Sequence, residues 1–125
     1  MKKLKFYRCK HCGNVVVKLV DSGVPVICCG EIMQEINVNT TDGAVEKHKP
    51  VVSINGNNVK VVVGEVLHPM TEEHYISLII LETNNGFYVK NLMPNNKPQA
   101  EFVLSEGGSY VKAYSYCNLH GMWSD

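Results

Sequence analysis

Beyond residue 50 the apolar positions gather in short runs rich in Val, Ile and Tyr, each bounded by turn residues. Such runs suit a pleated, half-buried surface, and they predict strands over Val51–Ile54, Lys60–Val63, Tyr75–Glu82, Phe87–Asn91, Ala100–Leu104 and Tyr110–Tyr116. Asn55-Gly56 and Asn85-Gly86 mark tight hairpins, because both residue types tolerate positive φ. No stretch predicts a long helix, and no internal repeat is present. Six or seven short strands in about 85 residues point to an antiparallel β-sandwich of immunoglobulin-like size.

The N-terminal stretch reads differently. Extended segments at Lys5–Tyr7 and Val15–Val20 are followed by a Gly23-Val24-Pro25 turn, and the polar run Asn37–Gly43 reads as a linker. These features divide the chain into a first domain over 1–37 and a second over 38–125. A unit below roughly 40 residues cannot bury enough apolar surface to fold unaided, so a metal is expected to be part of its structure.

Composition narrows the function classes. Twelve basic and twelve acidic residues give a formal net charge of zero, which removes the electrostatic footprint of a nucleic-acid binder. The N-terminal charges precede no apolar run, so no secretory signal is expected, and no segment approaches the roughly 20 apolar residues of a membrane span. A cytoplasmic protein with reduced thiols is the expectation, and an odd count of five cysteines argues against full disulfide pairing.

Four of those cysteines form one pattern: Cys9, Cys12, and the adjacent pair Cys28 and Cys29. Four thiolates match a tetrahedral sulfur site for zinc or a single iron. By ligand type alone zinc is the commoner occupant, but neighbouring side chains diverge, so consecutive ligands must distort the backbone or the tetrahedron. A structural zinc site has little reason to accept that, and iron is favoured. His11 lies within the pattern and reads as an exposed knuckle residue; Tyr7 is a candidate to pack over the small site.

The fifth cysteine, Cys117, shares the second domain with His48, His68, His74 and His120, all at predicted strand ends or in loops. Each histidine alone is more simply a surface or hydrogen-bonded residue. Together, loops at one end of a sandwich can bring them to one point, and five protein ligands exceed the four of structural zinc. Iron fits better, since five ligands on an octahedral ion leave one open position where a small molecule could react; a thiolate opposite that position would push electron density toward it. Glu46 and Lys47 alone pass as an ordinary solvated charge pair, and Trp123 as a packing residue over the C-terminal loop.

The ordered set Cys9-x2-Cys12, Cys28-Cys29-Gly30, Thr41-Asp42-Gly43-Ala44, Glu46-Lys47-His48-x-Pro50, His68-Pro69-Met70, His74 and Cys117-Asn118-Leu119-His120-Gly121-x-Trp123 resembles the two-iron superoxide reductases, or desulfoferrodoxins. The resemblance implies a desulforedoxin-like domain with one iron on Cys9, Cys12, Cys28 and Cys29. It implies a second iron bound by His48, His68, His74 and His120 with Cys117 axial. It also implies one-electron reduction of superoxide to hydrogen peroxide, re-reduction by an external donor such as rubredoxin, and a homodimer. Glu46 would then fill the open position in the ferric resting state, and Lys47 would set positive charge beside it. That charge suits a small anionic substrate on physical grounds as well. The alternatives are a non-catalytic iron electron-transfer protein and a zinc-stabilised interaction module; dismutation is disfavoured by a strongly donating ligand set.

Overall fold

Short strands dominate the first part of the chain: β1 (Phe6–Arg8), β2 (Val15–Val17), β3 (Ile27–Cys28), β4 (Glu31–Ile32) and β5 (Gln34–Glu35). The structure is a computed structural model that describes residues 4–39 and 43–125, and the chain divides into two compact units, Met1–Asn37 and Val38–Asp125. In the first unit β1 is the centre of an antiparallel sheet ordered β2-β1-β5, and β3 and β4 form a separate hairpin. The first extended segment sits one residue later than Lys5–Tyr7, and the second stops at Val17, three residues short of Val20. Phe6, Cys9 and Met33 are the buried side chains of this unit among the described residues. So small a core leaves the thiolate cluster to organise the chain around it.

The second unit opens with a four-residue helix, α1 (Val45–His48), then runs β6 (Pro50–Asn55), β7 (Asn58–Val63), β8 (Ile76–Thr83), β9 (Gly86–Asn91), β10 (Gln99–Val103), β11 (Tyr110–Cys117) and β12 (Gly121–Ser124). All pairings are antiparallel, in one sheet ordered β10-β7-β6 and another ordered β12-β11-β8-β9. Val59, Val61 and Val63 of β7 and Ala100 and Phe102 of β10 alternate with outward residues, and they meet Ile79, Leu81 and Ala113 of the other sheet in one core. This is the predicted sandwich. The six predicted strands are present with ends shifted by a residue or two.

Two elements differ from the sequence expectation. Cys117 ends β11 and His120 lies in the turn that follows, but that turn leads into β12, so the chain does not end in a loop and Trp123 is a strand residue. Cys117 pairs with Gly121 across a three-residue loop, and Gly121 adopts φ 77, the left-handed position that closes such hairpins. His48 likewise belongs to α1 and not to a loop. The two hairpin signals also act differently. Gly56 takes φ 61 as the first central residue between β6 and β7, whereas Gly86 is already the first residue of β9 and is not left-handed. Of the predicted linker and the Thr41-Asp42-Gly43-Ala44 motif, positions 40–42 lie outside the described residues. No helix among the described residues is long and apolar enough to cross a membrane.

Candidate metal centres

The adjacent cysteines of the first unit are accommodated by turn geometry. Cys29 and Gly30 are the two central residues of the β3–β4 hairpin, at φ 53 and φ 78, as a type I′ turn requires. A left-handed cysteine costs about 1–2 kcal/mol, and the distortion expected of consecutive ligands is thus placed in the backbone. Opposite it, Cys9 N–H donates to Asn14 O (2.9 Å) and Gly13 N–H donates to Cys9 O (2.9 Å), closing a knuckle. The four Sγ atoms of Cys9, Cys12, Cys28 and Cys29 all lie within 4.8 Å of one another.

The protonation states of this cluster fit a cation. The backbone N–H of Cys12 draws the Cys9 thiol down to about 6, while hydrogen bonding to Cys12 holds the Cys29 thiol up at about 12 and also raises Cys28. Without a metal the Cys9 thiolate is stabilised while Cys28 and Cys29 keep their protons; a positive ion at the centre is what lets those two ionise. Asn14 Nδ2 donates to Cys28 Sγ (3.6 Å). His11 is exposed and outside the cluster, where it meets Glu31 at 3.1 Å. Tyr7 supports Lys18, whose ammonium stands 5.2 Å above its ring.

In the second unit four imidazoles form a closed cycle. Neighbouring rings meet edge to face at centroid distances of 4.7 Å (His48–His68), 4.5 Å (His68–His74), 5.0 Å (His74–His120) and 4.8 Å (His48–His120). His48, His74, Cys117 and His120 each place a donor atom within 4.8 Å of the others, and His68 joins them with its Nε2 3.2 Å from His48 Nε2. Cys117 Sγ lies 3.7 Å from His120 Nδ1.

The ring tautomers show what the cluster needs. His48 Nδ1–H donates to Ala44 O (2.7 Å) and His68 Nδ1–H donates to Pro69 O (2.7 Å). Their Nε2 atoms then carry lone pairs that face each other at 3.2 Å, with His120 Nδ1 also 3.0 Å from His48 Nε2, an arrangement that a cation at their meeting point would relieve. His74 Nε2 is buried with no hydrogen-bond partner, a second lone pair or N–H left over in the same place. Burial holds His48, His68 and His74 below the usual imidazole range, His68 to about 4. They are therefore neutral at pH 7 and ready to donate to a metal. Burial raises the Cys117 thiol, while the backbone N–H groups of Leu119 and His120 pull it the other way.

A pH dependence follows for the metal-free protein. The His68 value of about 4 in the folded chain lies below the 6.5 of an ordinary imidazole, so the unfolded chain takes up its proton first as pH falls. The stability this residue contributes is complete above about 6.5 and is lost as pH drops through about 4, with His48 and His74 shifted in the same direction. The thermal midpoint of metal-free protein is expected to decline over that window; a midpoint flat from pH 7 to pH 4 would contradict it.

Several residues outside the donor set frame the cycle. Trp123 stacks on His48 at 5.1 Å and 29°, and its Nε1–H donates to His120 O (2.9 Å). Ser115 Oγ donates to His48 O (2.8 Å) from the buried face of β11. A Cβ on Gly43 would stand 3.1 Å from His48 Cε1 and 3.3 Å from His120 Cγ, so only glycine fits against both rings without displacing them. Turn chemistry around Gly121 could have revealed β12 and with it the face on which Trp123 lies. Glu46 and Lys47 are exposed on α1, and neither side chain has a hydrogen-bond or ion-pair partner among the described residues. The Glu46 carboxylate is not one of the groups that converge, although its charge, like that of Lys47, is felt at His48.

Comparison with known proteins agrees with this architecture. The desulfoferrodoxin family model matches residues 40–125. A desulfoferrodoxin from Nitratidesulfovibrio vulgaris is 45% identical over 119 residues, covering 95% of this chain and 93% of the relative. The crystal structure of the superoxide reductase from Treponema pallidum superimposes with a TM-score of 0.83 at 39% identity, covering 99% of each chain. A one-iron superoxide reductase from Giardia intestinalis aligns with a TM-score of 0.54 at 34% identity, covering 64% of this chain and 95% of its own. With residues 40–125 matched by the family model and a relative of that name shared over nearly its whole length, this chain belongs to the desulfoferrodoxin family.

Proposed function

We propose that the chain reduces superoxide to hydrogen peroxide at the histidine–thiolate cluster. It holds two irons, one on Cys9, Cys12, Cys28 and Cys29 and one on His48, His68, His74, His120 and Cys117. The first unit is thus an iron domain and the second the catalytic one. The reading is carried by five convergent donors, three of them imidazoles held neutral by burial and two with lone pairs facing at 3.2 Å. Iron bound there supplies the single electron that, with two protons, converts superoxide to hydrogen peroxide.

The chain's own residues supply the rest. Lys47 is exposed on α1 next to His48, and its charge pushes the imidazoles of both His48 and His74 down. A positive charge on this side of the cluster attracts a small anion to the same place. Glu46, exposed two residues before His48, is the carboxylate that would be available to oxidised iron held by the cluster. Trp123 and Gly43 cover the rings of His48 and His120.

The test is stoichiometric. Iron-loaded, pre-reduced protein mixed with superoxide is expected to give one hydrogen peroxide per superoxide and no dioxygen. Half a peroxide with dioxygen would mean dismutation, and no peroxide would mean an electron carrier; either result overturns the proposal. Lys47→Ala is expected to slow the second-order reaction about 10-fold and to flatten its dependence on ionic strength. An unchanged rate and salt slope would remove the steering role.

Three further assignments rest on this reading. Val45, Leu67 and Leu119, each close in sequence to a cluster histidine, are exposed and suit the docking of a small electron donor of rubredoxin type; failure of reduced rubredoxin to re-reduce the oxidised protein would count against it. Leu19, Val20, Val24, Ile27 and Ile32 leave the first unit with much exposed apolar surface, which supports a homodimer, to be read by sedimentation. Five free cysteines accord with a reducing, cytoplasmic location, which fractionation of cells would check.

A further inference from the structure

His74 is held differently from its neighbours in the ring cycle. His48 and His68 each donate Nδ1–H to a backbone carbonyl that fixes the ring, whereas neither ring nitrogen of His74 has a carbonyl partner among the described residues, and its Nε2 is buried. Its position is set through the backbone on either side. Tyr75 N–H donates to Asn118 Oδ1 (2.9 Å), Asn118 Nδ2 donates to Glu73 O (2.9 Å), and Asn118 N–H donates to Tyr75 O (3.2 Å). Glu73 and Tyr75 are the two residues that flank His74, and Asn118 is the residue after Cys117. One side chain thus grips both sides of one donor from a position covalently attached to another.

We propose that Asn118 is a positioning residue of the cluster, fixing the segment of His74 in register with the thiolate of Cys117. The inference rests on the reading of this cluster as an iron site. The chemistry singles out asparagine. The position needs an acceptor for Tyr75 N–H and a donor for Glu73 O on one short planar group, a pair of functions that aspartate supplies only by half and alanine or leucine not at all. Glutamine carries the same amide one methylene further out. On its own segment the Thr71 turn contributes as well, since His74 N–H donates to Thr71 Oγ1 (3.1 Å) and Thr71 N–H donates to His74 O (2.9 Å). That turn shapes the loop without tying it to β11, and the tie is what Asn118 adds. The side chain of Asn118 is exposed, so truncating it opens no cavity in the core.

Residues that orient a metal ligand from behind typically change metal affinity 10- to 100-fold when replaced. The experiment follows transfer of iron from the full-length, iron-loaded protein to a chelator, together with the sulfur-to-iron charge-transfer band of the second centre. Asn118→Ala is expected to release that iron about 10- to 100-fold faster and to displace the band, with the absorption of the four-thiolate centre unchanged. Asn118→Asp, which keeps the bond to Tyr75 and loses the one to Glu73, is expected to fall between; being isosteric, it also carries the test should the alanine variant fold poorly. Release at the wild-type rate with an undisplaced band, in whichever variant folds, would overturn the positioning role. Because no readout involves superoxide, a wild-type protein that retains its second iron yet makes no peroxide would overturn the proposed function and leave Asn118 as assigned.

Discussion

Cys117→Ser is expected to abolish efficient superoxide reduction, a loss of about 100-fold or more, while the absorption of the four-thiolate centre stays as in the wild type. His48, His68 and His74 are held neutral by burial, so the thiolate is the negative charge within the donor set. Serine is nearly the same size and meets the same backbone N–H groups of Leu119 and His120, but its hydroxyl does not ionise in the range where a thiol can. A buried cation then loses its compensating charge, which costs more than loss of an outer partner, itself worth 10- to 100-fold in affinity. Iron content per chain and peroxide yield are the measurements. Wild-type turnover with two irons bound would show that the sulfur is not needed.

Gly64→Ala is expected to destabilise the second unit by about 2–5 kcal/mol, adding a left-handed backbone penalty to an overpacking one. Gly64 has φ 91, and a Cβ there would stand 2.3 Å from Val66 O, 2.8 Å from Glu46 O and 2.9 Å from Lys47 Cα. All three are backbone atoms, so none can rotate away. The crossing is where the loop after β7 lies against α1: Gly64 N–H donates to Lys49 O (3.1 Å), and Val66 N–H donates to Glu46 O (3.0 Å). Displacing it moves the helix of Glu46, Lys47 and His48 together with the loop of His68, so the second iron is expected to be lost as well. Gly107→Ala is the control, because Gly107 has φ 77 and nothing within 4 Å of the added carbon. Denaturant unfolding of the two variants separates conformational strain from close approach, and equal losses would refute the crowding argument.

What was legible in the sequence, and what was not, follows from the range over which each signal acts. The strand expected over Lys60–Val63 announces itself because a run of β-branched residues is a property of neighbouring positions; the structure extends it back to Asn58 and buries Val59, Val61 and Val63. β12 is four residues long and exists through its pairing with β11, so composition alone did not mark it. The donors of the second centre could be named from residue type and order. Their tautomers could not, because these depend on the carbonyls of Ala44 and Pro69 reaching particular ring nitrogens. The same is true of Trp123, whose stacking on His48 depends on the register that sets Ser115 opposite Trp123. Gly64 reads as an ordinary loop glycine until the atoms around its missing side chain are known.

His48 and His120 meet at 3.0 Å although 72 residues separate them. An ion held by both therefore closes a long loop in the chain, as a cross-link would. By the chain-entropy estimate used for disulfides, tying off a loop of that length disfavours the unfolded ensemble by about 4 kcal/mol. The reactive centre is then also a fastening between the start of one sheet and the end of the other. A cell starved of iron would lose the protein's catalyst and its clasp together, leaving a looser chain that is more readily unfolded and cleared by proteases.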